Sequence, residues 1–424
     1  MLKKVCKSES LSGEITIPAD KSISHRAIML ASLANGKSTI KNLSSGADCR
    51  STLSIFKQLG VEINEIDDKT IEIISNGKLN KSYLPLDAGN SGTTTRLISG
   101  ILAGQNFDSE IIGDESLSKR PMKRVILPLT QMGARIDSID NHLPITIHGQ
   151  KLHGITYKMP IASAQVKSSI LLAGLNAEGQ TTVIEPYQSR NHTELMLKYL
   201  GADILTYNNE ITLSPSILTS KDIEIAGDIS SAAFFMVAGL IVPNSDFIIK
   251  NVGINPTRTG IIDIIKRMGG GLSILNNRII SGEPCADIQV KYNDTLKGCE
   301  ISGEDIPRLI DELPVIAVLA SQADGETIIK NAEDLRNKES DRIKCLVTEL
   351  LKIGVDIEET PDGFIVRGKS KLKGNAELES YNDHRLAMSF YVAGLICEKE
   401  ISINGFEWTK ISFPEFEELV EKIK

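Results

Sequence analysis

The chain has 424 residues, 41% hydrophobic and 24% charged, which supplies enough apolar surface for two or three packed domains and excludes disorder as its main state. Its formal net charge of −8 argues against a general nucleic-acid binder and against a polybasic membrane-surface protein. No segment approaches the roughly 18 apolar residues of a membrane-spanning helix, and the N terminus lacks the apolar core of a secretory signal. Six scattered cysteines without a CxxC pair indicate reduced thiols and a cytoplasmic protein.

Taken in chain order, the predicted elements form six similar segments. Each segment begins with small, polar or charged residues and continues into an apolar, Ala- and Leu-rich stretch typical of a helix. Most then turn at Gly or Asn into a β-branched strand. The segments begin at Asp20, Asn90, Ser163, Gly227, Asp311 and Asn382. Their spacing of roughly 70 residues indicates an internal repeat rather than a chance alternation of helices and strands, which is the alternative reading.

A second predicted helix follows in each repeat and ends at a glycine in the first five. These glycines are Gly60, Gly133, Gly201, Gly269 and Gly354. Glycine just after a helix suits the left-handed C′ position, so each repeat is predicted as helix, strand, helix, strand, strand. The sixth repeat ends in a helix near residues 414–424 with no room for later strands. We therefore expect the N-terminal residues 10–18 to supply its missing strands.

Six repeats of this kind predict an α/β (α+β) protein of two similar domains with three repeats each. The first domain is predicted at 20–226, and the second at 1–19 together with 227–424. The chain would then cross between the domains twice, near residues 18–21 and near Gly227. Two crossing strands make a hinge, and a cleft between two halves is a common ligand site.

Polar and basic side chains concentrate at the predicted helix starts of this acidic chain. The first helices carry Lys21, Ser22, Arg26, Asn90, Arg96, Ser163, Gln165, Lys167, His384 and Arg385, and the second helices add Arg120, Arg190, Arg258, Lys338 and Arg342. Free N–H groups and the helix dipole already favour an anion at a helix start. Cations at the same place predict a substrate with several phosphates or carboxylates. The alternative is ordinary N-capping with solvated basic neighbours.

Two carboxylates stand among these cations. Asp311 precedes an apolar helix, and Glu339 lies between Lys338 and Arg342. A carboxylate beside Lys or Arg stays ionised and can accept a proton. The alternatives are a helix N-cap for Asp311 and a solvated, salt-bridged helix for Glu339. No metal-ligand spacing and no GxSxG elbow occurs, so metal-dependent and covalent mechanisms are disfavoured.

The motifs at these positions resemble those of the EPSP synthase family of enolpyruvyl transferases. They read DKSISHR at 20–26, GNSGT at 89–93, KRPM at 119–122, SAQVKS at 163–168, LRNKESDR at 335–342 and DHR at 383–385. The resemblance runs from about residue 10 to the C terminus. It implies two similar domains, each of three βαβαββ units about a pseudo-threefold axis. It further implies a cytoplasmic monomer without metal or organic cofactor, with no nucleic-acid or membrane partner.

The resemblance also implies the reaction. The enolpyruvyl group of phosphoenolpyruvate is transferred to the 5-hydroxyl of shikimate 3-phosphate through a tetrahedral addition–elimination intermediate, giving EPSP and phosphate in aromatic amino acid biosynthesis. Asp311 is then the base for the 5-hydroxyl, and Glu339 with Lys21 transfers the proton at C3. Domain closure is expected on binding, because two multiply charged anions must be brought together.

Binding residues are carried over from the resemblance by position. Shikimate 3-phosphate is assigned to Lys21, Ser22, Arg26, Ser163, Ala164, Gln165, Ser189, Arg190, Asp311 and Lys338, with Ser189 replacing or assisting Arg190. Phosphoenolpyruvate is assigned to Lys21, Asn90, Gly92, Arg120, Gln165, Lys338, Glu339, Arg342, His384, Arg385 and Lys410.

Two other functions are compatible with parts of the pattern. The sister UDP-N-acetylglucosamine enolpyruvyl transferases share the fold but usually present a reactive Cys in a loop of the first domain. The comparable residues 114–122 contain no Cys. An anion-binding module with a degenerate site is the second alternative, and the intact Asp311, Lys338 and Glu339 argue against it.

Overall fold

A computed structural model describes all 424 residues, which form two compact units. The central unit contains Ala19–Ile225 and Ile279–Glu283, and the terminal unit contains Met1–Pro18, Ala226–Arg278 and Pro284–Lys424. The tip of one β-hairpin, Ile279–Glu283, therefore belongs to the central unit, which the sequence pattern did not indicate. None of the helices combines the length and apolar character that crossing a bilayer requires.

The chain begins with β1 (Lys3–Val5) and β2 (Ser12–Thr16) of the terminal unit, and three repeats of the central unit follow. The first repeat contains α1 (Lys21–Leu33), β3 (Asn35–Lys41), α2 (Ala47–Gln58), β4 (Glu62–Asp67) and β5 (Thr70–Asn76). The second contains β6 (Leu86–Asp87), α3 (Gly92–Ala103), β7 (Ser109–Ile112), α4 (Glu115–Ser118), α5 (Lys123–Gln131), β8 (Arg135–Ile139) and β9 (His142–His148). The third contains β10 (Thr156–Lys158), α6 (Ala164–Gly174), β11 (Thr181–Ile184), α7 (His192–Tyr199), β12 (Ile204–Tyr207) and β13 (Glu210–Leu213), and β14 (Ile223–Glu224) follows it.

Each repeat of the central unit forms one four-stranded mixed sheet. The strand orders are β14-β3-β5-β4, β6-β7-β9-β8 and β10-β11-β13-β12. The outer first strand is parallel to the strand after the first helix, as between β6 and β7, while the closing hairpin is antiparallel. In the first repeat the parallel outer strand is β14, from the far end of the unit. The predicted βαβαββ order is therefore present, and the three repeats close on themselves.

The first helices of the three repeats form the core of the central unit. Helix α3 packs on both α1 and α6, and the second helices pack in cyclic order, α2 on α3, α5 on α6 and α7 on α1. This cyclic order is the expected pseudo-threefold arrangement. Helices α3 and α6 approach most closely at Gly100, where an added Cβ would lie 2.0 Å from the carbonyl oxygen of Ser169. Glycine is required there because any side chain would separate the two helices.

The terminal unit repeats the same order of elements. The fourth repeat contains α8 (Ile229–Ile241), β15 (Asp246–Gly253), α9 (Gly260–Arg267), β16 (Gly271–Ile280) and β17 (Glu283–Lys291). The fifth contains β18 (Glu300–Ile301), a 3₁₀ turn (Gly303–Asp305), α10 (Ile306–Leu309), α11 (Leu313–Ala320), β19 (Gly325–Ile329), a 3₁₀ turn (Glu333–Asn337), α12 (Arg342–Lys352), β20 (Asp356–Thr360) and β21 (Gly363–Gly368). The sixth contains β22 (Glu377–Glu379), α13 (His384–Gly394), β23 (Ile401–Asn404), a 3₁₀ turn (Phe406–Ile411) and α14 (Phe416–Ile423).

The N-terminal strands complete two different repeats, which corrects the expectation for residues 10–18. Strand β2 lies parallel to β15 and is the first strand of the fourth repeat. Strand β1 lies antiparallel to β23 and gives the sixth repeat a three-stranded sheet, β1-β23-β22. The expectation was wrong because a strand of only five residues such as β2 fits several sheets. Its partner is chosen by direction and register in the folded unit, which its own residues do not show.

Helices without a polar face lie at the centre of the terminal unit. All residues of α8 and α11 are buried, and α8, α11 and α13 pack against one another in all three pairs. A helix that is apolar on every side must be surrounded by protein. The starts of α11 and α13 are thereby held rigidly, and they carry several of the predicted site residues.

Candidate active site

The start of α1 holds the first predicted site residues. Asp20 caps the helix by accepting a hydrogen bond from the backbone N–H three residues on, at 2.9 Å. Lys21 Nζ lies 3.1 Å from Asp48 Oδ2, on the next helix. The buried His25 lies 2.7 Å from Thr52 Oγ1 through Nδ1, and burial lowers its pKa to about 3. His25 is therefore a neutral packing residue, and Lys21 carries the positive charge of this helix start.

Arg26 is a buried cation whose hydrogen bonds all go to uncharged oxygens. Its Nε donates to Thr193 Oγ1 at 2.7 Å, and its Nη2 donates to Ser168 Oγ at 2.8 Å. Its Nη1 donates to the carbonyl of Ser22 at 2.9 Å. Burial lowers its pKa to about 10, against the opposing charge of Glu194. The guanidinium therefore stays charged at neutral pH, and an anionic ligand would complete its electrostatic environment.

Gln165 connects the start of α6 to the start of α3. Its Oε1 accepts from Arg96 Nη1 at 2.8 Å, and its Nε2 donates to Thr93 Oγ1 at 3.0 Å. Ser163 caps α6, and Ala164 is the first residue of that helix. Arg96 is one of the basic residues at the predicted helix starts and belongs to neither predicted substrate set. Burial lowers its pKa to about 10, assisted by the charge of Arg120.

Arg96 and Arg120 approach each other at the N terminus of α3. Arg120 Nη2 donates to Asn90 Oδ1 at 3.0 Å, and Asn90 donates to Asp114 at 2.7 Å. A Cβ added to Gly92 would lie 2.7 Å from Arg96 Nη1 and 3.6 Å from Arg120 Nη1. Two guanidinium groups therefore meet at a helix end that is itself positive. This arrangement favours an anion at the helix start.

Ser189 and Arg190 lie on the segment between β11 and α7. Ser189 is buried, and its hydroxyl donates to Glu185. Arg190 is half-buried and close enough to Arg26 for its charge to lower the pKa of Arg26. The structure thus brings Ser22, Arg26, Ser189 and Arg190 into one neighbourhood of the central unit.

Asp311 in the terminal unit is held by two cations. Its Oδ1 lies 3.5 Å from Lys338 Nζ and 3.5 Å from Arg342 Nη1. The N-cap of the following helix is Glu312, so Asp311 is not the cap residue. An ionised carboxylate held in this way is suited to accept a proton from a hydroxyl.

Arg342 is the most deeply buried cation of this group. It begins α12, and it forms ion pairs with Glu339 at 2.6 Å and with Asp383 at 2.7 Å. Desolvation raises the pKa of both carboxyls, but the charges of Arg342 and His384 together with hydrogen bonding outweigh it and hold both pKa values below their ordinary range. Glu339 lies in the turn before α12 rather than within a solvated helix. Both carboxylates are therefore ionised at neutral pH.

The DHR motif begins α13. Asp383 caps the helix and accepts from the backbone N–H of Arg385 at 2.9 Å. Arg385 Nη1 donates to the carbonyl of Asp311 at 3.2 Å, and His384 is buried beside Glu339 and lowers the pKa of that carboxyl. Asp383 was missed as a site residue, although its place before His384 and Arg385 was a usable signal. Lys410 is exposed on a 3₁₀ turn and takes part in none of the ion pairs described for this cluster.

These arrangements can bind multiply charged anions and can move protons through ionised carboxylates. No group of three His, Cys, Asp or Glu residues is arranged to hold a metal ion. The fold is that of the enolpyruvyl transferases. The solved enolpyruvyl transferase NikO from Streptomyces tendae matches with a TM-score of 0.82 at 17% identity, covering 100% of this chain and 97% of that one. At this identity the match shows the fold alone.

Closer relatives define the family. The model of the EPSP synthase (3-phosphoshikimate 1-carboxyvinyltransferase) family matches residues 5–420. A 3-phosphoshikimate 1-carboxyvinyltransferase from Thermoanaerobacter sp. (strain X514) is 54% identical over 97% of this chain and 98% of its own length, and one from Petrotoga mobilis is 50% identical over 99% of each. The EPSP synthase structure from Acinetobacter baumannii has a TM-score of 0.91 at 44% identity, over 100% of this chain and 98% of that one.

The chain belongs to the EPSP synthase family, so the resemblance inferred from its motifs is confirmed. It is a transferase of the shikimate pathway that acts on phosphoenolpyruvate and shikimate 3-phosphate.

Proposed function

We propose that the cationic helix starts bind the two substrates in the following way. Shikimate 3-phosphate is bound by Lys21, Ser22, Arg26, Ser163, Ala164, Gln165, Ser189 and Arg190, with Asp311 and Lys338. Phosphoenolpyruvate is bound by Lys21, Asn90, Gly92, Arg120, Gln165, Lys338, Glu339, Arg342, His384, Arg385 and Lys410. The observation that carries the proposal is the position of the Asp311 carboxyl group, 3.5 Å from both Lys338 Nζ and Arg342 Nη1.

In the addition step, Asp311 accepts the proton of the 5-hydroxyl of shikimate 3-phosphate while the oxygen of that hydroxyl bonds to C2 of phosphoenolpyruvate. C3 gains a proton and becomes a methyl group, and the ammonium of Lys21 suits this donation. In the elimination step the methyl carbon returns the proton as phosphate leaves. The ionised Glu339 is suited to accept it, because Arg342 holds its pKa low.

The arginines stabilise the negative charge of this chemistry. Arg120, Arg342 and Arg385 bind the phosphate and carboxylate of phosphoenolpyruvate in this proposal. Guanidinium groups pair with both anions in a bidentate manner. Fixed positive charge of this kind stabilises an anionic intermediate without costly reorganisation.

The test is phosphate release from phosphoenolpyruvate with shikimate 3-phosphate, with UDP-N-acetylglucosamine as the control acceptor. We expect release with shikimate 3-phosphate alone. Asp311→Asn is expected to lower kcat at least ~10²-fold, since the general base is lost. The matched control is Asp356→Asn, because Asp356 is exposed and pairs with Arg367 at 3.6 Å. Equal kcat values for the two variants would contradict the role of Asp311.

We further propose that the enzyme acts as a monomer in the cytoplasm. All six cysteines are free thiols, in keeping with a reducing compartment. Light scattering of the purified protein tests the oligomeric state, and a dimeric mass would contradict the proposal.

A further inference from the structure

A fully buried ion cluster lies beneath the segment between β11 and α7. Lys167 projects from α6 with no exposed side-chain surface. Its Nζ lies 2.7 Å from Glu185 Oε2 and 2.7 Å from Glu194 Oε1, and it donates to the carbonyl of Ser189 at 3.3 Å. One ammonium group therefore contacts the first residue of the segment, its middle and the first turn of α7.

The same segment is bound to α6 at a second point. Ser168, the next residue of the helix, lies 2.6 Å from Thr193 through their hydroxyls. Glu185 in turn accepts from the backbone N–H of Ser189 at 3.3 Å and from its hydroxyl. Residues 185–194 are thus folded around the side chain of Lys167. A buried ammonium is costly to desolvate and is retained only where its partners compensate it.

The cluster lies next to Arg26, which donates hydrogen bonds to Ser168 at 2.8 Å and to Thr193 at 2.7 Å, the chain neighbours of Lys167 and Glu194. Two buried carboxylates face one ammonium, so Lys167 compensates only one of the two negative charges. The charge of Glu194 also acts on Arg26, opposing the effect of burial on the pKa of that guanidinium. Without Lys167, the negative charge of the cluster would be less compensated, so Glu194 would compete with an anionic ligand for Arg26 and would repel that ligand.

We propose that Lys167 is a positioning residue for shikimate 3-phosphate. It neutralises part of the charge of Glu185 and Glu194 and holds Ser189 in place, so that Arg26 directs its charge to the substrate phosphate. The inference depends on the proposed assignment of Arg26 to that substrate. Lys167 itself contacts no substrate in this proposal.

The experiment measures KM for each substrate, kcat and Tm in the full-length enzyme. Lys167→Met is expected to raise KM for shikimate 3-phosphate at least ~10-fold and to leave KM for phosphoenolpyruvate within ~2-fold, because the perturbed charge lies beside Arg26. Lys167→Arg keeps the charge and should recover most of the affinity. The control is Lys151→Met, since Lys151 pairs with Glu178 at the surface and its loss should change neither KM.

A charge-compensated variant keeps the test valid if Lys167→Met does not fold. In Lys167→Met combined with Glu194→Gln, the cluster keeps the same net charge as the wild type. We expect its KM for shikimate 3-phosphate within ~3-fold of the wild type. Parallel changes of both KM values in Lys167→Met, or no recovery in the double variant, would overturn the inference.

Arg26→Ala separates the inference from the assignment on which it depends. Suppose that KM for shikimate 3-phosphate rises in Arg26→Ala but keeps its wild-type value in a folded Lys167→Met enzyme. This result would overturn the role of Lys167 alone. An unchanged KM in Arg26→Ala would overturn the substrate assignment and the inference with it.

Discussion

Replacing Asp383 by Asn tests whether a buried partner of Arg342 controls turnover. Asp383 accepts from Arg342 Nε at 2.7 Å and from its Nη2 at 3.3 Å, and neither side chain is exposed by more than 1%. Asn is neutral and keeps one acceptor oxygen, so one hydrogen bond to Arg342 is lost and the other keeps only the charge of the guanidinium; a hydrogen bond to a charged group contributes about 1.5–3 kcal/mol. If the transition state loses about 2 kcal/mol of this stabilisation relative to the bound substrates, kcat falls roughly 30-fold.

The assay is steady-state phosphate release with both substrates saturating, together with urea unfolding of each variant. Asp341→Asn is the matched control. Asp341 pairs with Arg336 at 2.9 Å near the surface and caps α12, and Asn caps a helix about as well as Asp. We expect kcat of the control within about twofold of the wild type, because exposed ion pairs contribute little. A folded Asp383→Asn enzyme with kcat within threefold of the control would refute the reasoning.

Three further variants or conditions have clear expected outcomes. Arg120→Ala should lower kcat/KM at least ~10²-fold in the phosphate-release assay, because a cation that stabilises the developing charge is lost; near-normal turnover would contradict its assignment. Gly92→Ala places a methyl group 2.7 Å from Arg96 Nη1 and should raise KM for phosphoenolpyruvate roughly tenfold by displacing that guanidinium group, with Tm almost unchanged; an unchanged KM would place the substrate elsewhere. Because the pKa values of Glu339 and Asp383 are lowered from their ordinary 4.5 and 3.8, their stabilising contribution is complete above about pH 5 and is lost as the pH falls below those ordinary values. The free energy of unfolding, measured in urea between pH 3 and pH 7, should fall on the acid side in the wild type and should fall less in Asp383→Asn. An equal pH dependence of the two proteins would argue against the buried ion pair of Asp383 with Arg342.

Helix ends illustrate what could be predicted from local sequence. The five glycines expected after second helices, Gly60, Gly133, Gly201, Gly269 and Gly354, all have positive φ between 83° and 100°. A helix stop depends on a few adjacent residues and on the absence of a Cβ, so it is visible without the fold. The same holds for the caps Asp20, Ser91 and Ser163, whose side chains each accept a backbone N–H within their own first turn.

Site residues show the limit of that local information. Arg342 was predicted from its motif, but its strongest buried partner, Asp383, is 41 residues away and was not. The sequence shows Lys167 only as a cation at a helix start, whereas its partner Glu185 lies 18 residues further along the chain and both side chains are fully buried. Exposure decides whether a charge is a solvated neighbour or part of an ion cluster, and exposure is a property of packing.

The six repeats, their helix ends, the family and the cationic helix starts can be recognised without a structure, because each depends on residues adjacent in the chain or on a recurring pattern. In contrast, the pairing of the N-terminal strands, β2 with the fourth repeat and β1 with the sixth, is visible only in the folded protein. The fold also sets which charges are buried and with which partners they pair. Register, burial and long-range ion pairs arise from the closing of the three-repeat units, and no short segment contains that information.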